Sequence, residues 1–206
     1  MIAVGTVARW LRRFDTLVAN HETHLTELDS HIGDADHGVN LVRGVHETLN
    51  ALDAPTLQAQ SKAIGMSLLR HVGGTSGPLL ATLFLRMAAA FPVDAVEVND
   101  TQFLEALRTG VDGLAQRGKT ELGDKTMFDA LSPAVATFER EHAAGTAFPE
   151  AAARAVAAAA RGRDATADMV ARKGRASYLG QRSVGHIDPG AASATLLVQA
   201  LAEVLV

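Results

Sequence analysis

The sequence predicts an all-α fold, an up-and-down bundle or barrel of about eight antiparallel helices. Three observations carry that prediction. Apolar residues recur at spacings of three and four along most of the chain. The strict alternation that marks a half-buried strand is essentially missing. The alanine-rich stretch Ala151–Ala160 favours helix, and its small side chains let neighbouring helices approach closely.

The elements follow in order. Val7, Leu11, Phe14, Val18, His21, Leu25 and Leu28 form one stripe, which predicts a single long helix over 4–28. Further helices are expected over 38–51 and 55–72. Pro78 suits a first helical position and opens the helix over 78–91. Phe103, Leu107, Val111 and Leu114 repeat the stripe within 99–116. Lys125-Thr126-Met127 opens a helix over 125–143, and the alanine run lies within 147–162. Asp188 and Pro189 read as the cap and first residue of a last helix over 189–205. No linker divides the chain, so residues 1–206 read as one domain. Glycine clusters punctuate it at 33–38, 73–77, 110–123 and 174–190. Alternate loops of an up-and-down bundle share one end, where these clusters can converge.

Composition narrows the function classes. A chain of 206 residues, 48% of them hydrophobic, can bury a good core. Only 4% are aromatic, so that core is aliphatic. There is no cysteine, which removes disulfides, zinc-thiolate sites and thiol nucleophiles and fits a reducing, cytoplasmic setting. Met1 to Phe14 carries three arginines and no long apolar stretch, and so does not read as a signal peptide. No segment approaches the roughly 18 apolar residues of a membrane span. A net charge of -4 argues against a nucleic-acid surface.

The chemistry is concentrated in four segments. Leu28-Asp29-Ser30-His31-Ile32-Gly33-Asp34-Ala35-Asp36-His37-Gly38-Val39-Asn40 crowds three carboxylates into a helix end and the turn that follows. Like charges repel, and a negative charge is disfavoured at a helix C-terminus, so a bound cation is the simplest compensation. Oxygen ligands suit hard Mg²⁺ or Ca²⁺. Capping by Asp36 explains one aspartate and not three. A transition-metal site that adds His31 and His37 is the rival.

Gly73-Gly74-Thr75-Ser76-Gly77-Pro78 is either an ordinary helix–helix turn or an anion site at a helix N-terminus. The nearby cation site, which needs an anionic ligand, favours the second. Gly113-Leu114-Ala115-Gln116-Arg117-Gly118-Lys119-Thr120 fits the P-loop pattern. That pattern requires a strand before it and a helix after it; here the approach is helical and Glu121-Leu122-Gly123-Asp124 interrupts at once. We read it as coincidence. Met127 can pack against a flat base or in the core. The long loop from Lys173 to Gly190 holds basic residues and four glycines, and Arg175 can fork onto phosphate oxygens. Arg182 and His186 read equally well as solvated surface.

At these four segments the sequence resembles the nucleotide-binding L subunit of dihydroxyacetone kinases, the DhaL type. The matching strings are LDSHIGDADHGVNLVRG, GGTSGPLLATLFLRMA, RGKTELGDKTMFDAL and KGRASYLGQRSVGHIDPGAAS, in the family's order. The resemblance covers essentially the whole chain. It implies an eight-helix antiparallel barrel holding ADP or ATP among the loops at one end, with two Mg²⁺ linking aspartates to phosphates.

Carried over by motif, Asp29, Asp34 and Asp36 are the implied metal ligands. The implied nucleotide contacts are His37, Gly38, Val39 and Asn40, then Thr75 and Ser76, then Gly118 and Met127, then Arg175, Asp188, Pro189 and Gly190. One departure is visible: Ala35 stands where the family commonly has glycine. If that position has positive φ, alanine costs about 1 kcal/mol.

The resemblance further implies phosphoryl transfer to dihydroxyacetone bound covalently on a K subunit, DhaK. In the phosphotransferase-system version, which the length favours, retained ADP is recharged by the phosphohistidine protein DhaM. A transcription regulator is a further partner of some members, and a homodimer stays open. Two alternatives share the fold. One is a kinase with freely exchanging ATP and another sugar or an acyl substrate. The other is a non-catalytic reporter of nucleotide state.

Overall fold

The computed structural model describes residues 1–205. Among them the expected helices form with small shifts at their ends: α1 (Val4–Asn20), α2 (Glu22–Ile32), α3 (His37–Thr48), α4 (Leu57–His71), α5 (Ser76–Ala90), α6 (Asp100–Gly118), α7 (Met127–Ala143), α8 (Phe148–Ala165) and α9 (Pro189–Val204). The helix expected over 4–28 is two helices. His21 breaks it: its ring Nδ1 donates to the Leu17 carbonyl at 2.8 Å, while its backbone N–H turns to Val18 O. A side chain that takes over a ladder carbonyl kinks a helix without disturbing the apolar stripe.

The helices close a ring. Each of α3 to α9 packs on the next, α9 packs on α1, and α1 on α3. That gives eight staves, with α2 continuing α1 across the end of the barrel and packing on α3 and α9. The interior is aliphatic apart from a small aromatic group. Trp10 lies 5.3 Å from Phe84 between ring centroids and donates its indole N–H to Leu197 O at 2.8 Å, so its one polar atom is satisfied. The only sheet among the described residues is a two-residue clip, β1 (Ile2–Ala3) paired antiparallel with β2 (Glu97–Val98).

Up-and-down order sends the turns after α2, α4, α6 and α8 to one end. Three glycine clusters meet there as expected. The fourth does so only in part: Gly110 and Gly113 lie inside α6, where a Cβ at Gly110 would meet Leu83 O at 2.8 Å and one at Gly113 would meet Arg86 Cγ at 2.4 Å. They serve close helix packing.

Candidate functional site

Asp29 sits in the last turn of α2 and is buried. Its Oδ2 accepts from the backbone N–H groups of Asp36 at 2.9 Å and His37 at 3.2 Å, which folds the turn over its own carboxylate. Gly33 makes room: a Cβ there would lie 1.9 Å from Asp29 Oδ1. Ala35 has φ 60°, the left-handed region, and so carries the expected strain while aiming its two aspartate neighbours. Carboxylate oxygens of Asp29, Asp34 and Asp36 all come within 4.8 Å of one another. Three hard oxygen donors converging around a fixed carboxylate fit a divalent cation of the Mg²⁺ type.

The rivals fail here. Asp36 occupies the N-cap position of α3 yet makes no side-chain cap bond. His37 is committed elsewhere, and His31 stacks on His186 with ring centroids 4.8 Å apart. Neither imidazole joins the carboxylates.

Across the cleft, the turn after α4 reaches Gly74 at φ 67° and leads into α5 at Ser76, two residues earlier than Pro78. Ser76 Oγ lies 3.2 Å from His37 Nδ1, and His37 Nε2 lies 3.0 Å from Ser193 Oγ. Burial pulls the His37 ring below its ordinary pKa, with Asp29 and Asp36 opposing, so its neutral form is favoured. His37 thus ties α3, α5 and α9 together at the cleft. Thr75, at the N-cap position of α5, makes no side-chain cap bond.

The third wall comes from the end of α6 and the start of α7. Gly118 is the last residue of α6 and Lys119 leaves it in a left-handed conformation, φ 48°. Residues Gly113 to Gly118 continue α6, which begins at Asp100, so helix and not strand leads into them and the P-loop match is coincidental. Thr126 and Asp129 form a capping box at the start of α7, beside buried Met127.

The fourth wall is the segment between α8 and α9. Arg175 Nη1 lies 2.8 Å from Asp34 Oδ2, which places its guanidinium beside the carboxylates. Asp188 caps α9 by accepting from Ala191 N at 2.7 Å. Burial pushes the Asp188 carboxyl up to about 7, helped by Asp129 and Asp29 and opposed by the Ala191 N–H and Lys125. A Cβ at Gly190 would lie 2.9 Å from both Asp188 Oδ2 and Met127 Cγ.

These walls enclose a cleft of about 190 Å³. Asp29, Asp34, Asp36 and His37 line it, as do Thr75, Ser76, Gly118 and Met127. Arg175, Asp188, Pro189 and Gly190 line it as well. Gly38, Val39 and Asn40 do not line it. A Cβ at Gly38 would meet Glu22 O at 2.3 Å, so this glycine seats α3 on α2. Val39 points outward, and Asn40 lies beneath Gly73 and accepts from Arg43 at 2.7 Å.

The profile of the DAK2 domain family matches residues 31–203. The chain belongs to the DAK2 domain family. This DAK2 domain is 42% identical over 203 residues to the ADP-binding subunit DhaL of the PEP-dependent dihydroxyacetone kinase of Escherichia coli, covering 95% of this chain and 94% of that one. It is 36% identical to the ADP-binding subunit DhaL of the PTS-dependent dihydroxyacetone kinase of Lactococcus lactis, over the whole of both chains. Among solved structures it resembles the dihydroxyacetone kinase of C. freundii in complex with AMP-PNP and Mg²⁺, with TM-score 0.72 and 28% identity. That match covers 98% of this chain but only 33% of the longer kinase.

One residue of the DAK2 domain's cleft escaped sequence reasoning. Lys125 is fully buried, with φ 64°, and its ammonium faces the carbonyls of Thr166, Ser183 and His186 at 2.8, 2.6 and 2.5 Å, with Met169 O at 3.3 Å. Burial lowers its pKa, and Asp188 and Asp168 pull it back up.

Proposed function

We propose that this DAK2 domain is the nucleotide-bearing L subunit of a multi-subunit dihydroxyacetone kinase. In this reading it is a phosphotransferase component acting on an alcohol group. ATP formed on retained ADP by a phosphohistidine donor, DhaM, passes its terminal phosphoryl group to dihydroxyacetone held covalently on DhaK. The P–O bond to ADP breaks, a bond to the acceptor hydroxyl oxygen forms, and the hydroxyl proton is lost. One observation carries the proposal. Three converging carboxylates face an α-helix N-terminus and an arginine across a single cleft, in a chain that aligns end to end with DhaL subunits.

Asp29, Asp34 and Asp36 would hold two Mg²⁺. Magnesium supplies charge neutralisation at the phosphate oxygens. The chain's own residues do the positioning. The Thr75–Ser76 turn presents backbone N–H groups and hydroxyls to the phosphates. Arg175 adds charge-assisted hydrogen bonds, and Met127 and Gly118 flank the base. Placement of this constellation matters because phosphoryl transfer depends on positioning more than on covalent participation. No described helix is long and apolar enough to cross a membrane, in keeping with a cytoplasmic subunit.

The test begins with the purified protein. Denaturation should release near-stoichiometric ADP, and Asp34→Asn should abolish Mg-dependent nucleotide binding with helicity retained. Rapidly exchanging Mg-ATP, with activity independent of a phosphohistidine donor, would overturn the donor half of the reading. Unchanged nucleotide affinity in Asp34→Asn would overturn the metal ligands.

A further inference from the structure

The segment between α8 and α9 carries Arg175 and Asp188, yet little apolar surface holds it. Its apolar anchors are few: Ala171 and Ala176 pack on Ile32 of α2 with Leu179 against them, and Ile187 packs on the main core. Its backbone contains 3-10 turns at Thr166–Asp168 and Arg175–Ser183, interrupted at Gly180 (φ 54°, ψ -126°). Such a path leaves carbonyls unpaired by regular structure, and buried carbonyls need donors.

Lys125 supplies them. Its side chain enters the loop from the start of α7 and presents three N–H donors to four carbonyls spread from Thr166 to His186. A second layer surrounds it. Ser183 Oγ accepts from Ala171 N at 2.9 Å and donates to Gly180 O at 2.7 Å. Gly185 N donates to Ala167 O at 2.7 Å, and Asp188 N to Thr166 Oγ1 at 2.9 Å. Thr166, Met169, Ser183 and His186 thus share one internal cation.

We propose that Lys125 is a positioning residue, an internal ammonium that staples the 166–188 segment closed and thereby holds Arg175 and Asp188 at the cleft. The link to Arg175's phosphate contact rests on the function proposed above; the staple itself does not.

Two measurements test the staple in the wild-type protein and one variant. An amine-reactive reagent followed by peptide mass spectrometry should modify Lys125 roughly tenfold or more slowly than exposed Lys62 and Lys119. Labelling of Lys125 as fast as Lys62 overturns the proposal even where no variant folds. In Lys125→Met, amide exchange should rise about tenfold within 170–187, with the barrel helices unchanged. Uniform protection of that segment in the variant overturns it.

A double-mutant cycle then reads the functional link. Arg175→Ala should weaken Mg-ADP binding in the wild type and have little further effect in Lys125→Met, because the guanidinium is already misplaced. Fully additive losses overturn the positioning role, since a purely structural lysine would leave Arg175 working. A wild type that binds no Mg-ADP fails the site reading, while labelling and exchange still decide the staple.

Discussion

Gly33→Ala should evict Asp29 from the carboxylate cluster, although the substitution adds one methyl group and touches no ligand. The backbone at Gly33 has a negative φ of -141°, so left-handed strain does not enter; the main obstacle is space. The new Cβ would stand 1.9 Å from Asp29 Oδ1 and 2.8 Å from its Cγ, so the carboxylate must swing away. It then loses two hydrogen bonds from Asp36 N and His37 N. At the low end for bonds to a charged group, about 1.5 kcal/mol each, the loss is about 3 kcal/mol. For a chain of this size that corresponds to a melting temperature lower by roughly 6–12 °C. Mg-dependent ADP binding should weaken as well, because one of three oxygen ligands has moved.

The decisive assay is a cycle with Asp29→Ala, read by urea denaturation and by calorimetric titration of Mg-ADP. Removing Asp29's carboxylate removes the two closest contacts; the next, its backbone O, lies 3.1 Å from the added Cβ. Gly33→Ala in that background should cost at least about 1.5 kcal/mol less than in the wild type, a coupling of the size contacting residues show. Additive costs, or a Gly33→Ala protein that binds metal and unfolds like wild type, would refute the reasoning.

Ala35→Gly should relieve left-handed strain of about 1–2 kcal/mol while adding about 0.4–1 kcal/mol of unfolded-chain freedom, a net gain of about 0.5 kcal/mol. A higher urea midpoint checks it, and a lower one would place the strain elsewhere. Asp188 has a folded pKa of about 7 against an ordinary 3.8. The folded state therefore binds the extra proton between those values, and stability falls as pH rises through that window. Asp188→Asn should flatten that slope in cation-free denaturation at pH 4 to 8, and an unchanged slope would assign the proton to another group. Lys119→Ala should leave nucleotide affinity within about twofold, since no P-loop exists; a loss of binding would restore that motif to the site.

The fold was legible because helical periodicity is a local signal repeated along each stave. The break at His21 was not, because the stripe continues through it and the cause is a ring nitrogen competing for Leu17 O. The carboxylates were legible for a similar reason: Asp29, Asp34 and Asp36 are neighbours in sequence as well as in space. The contiguous stretch His37 to Asn40 divides between cleft and surroundings for a geometric reason. It lies in the first turn of α3, where each residue rotates about 100° from the last, so His37 faces the cleft while Val39 faces out. Lys125 left no signal at all. Its acceptors are backbone carbonyls up to 61 positions away, and a carbonyl has no sequence signature.

The two ways of holding structure in this chain bear on how it would keep a nucleotide. The barrel is secured by apolar burial around Trp10, Phe84 and Phe103, which opens only with global unfolding. The 166–188 segment is secured by polar contacts centred on one ammonium that burial itself disfavours. Such a segment opens locally at a lower free energy than the barrel. Its opening would withdraw Arg175 and expose the side of the cleft nearest Asp188, leaving the carboxylates on α2 and the following turn in place. On the function proposed above, this segment is where a retained and an exchanging nucleotide would differ. A nucleotide bridging the carboxylates and Arg175 would add its own bonds to both sides and lower the open population. Mg-ADP should therefore slow amide exchange in 170–187 more than anywhere in the barrel. Equal protection throughout would mean that release proceeds without this segment moving.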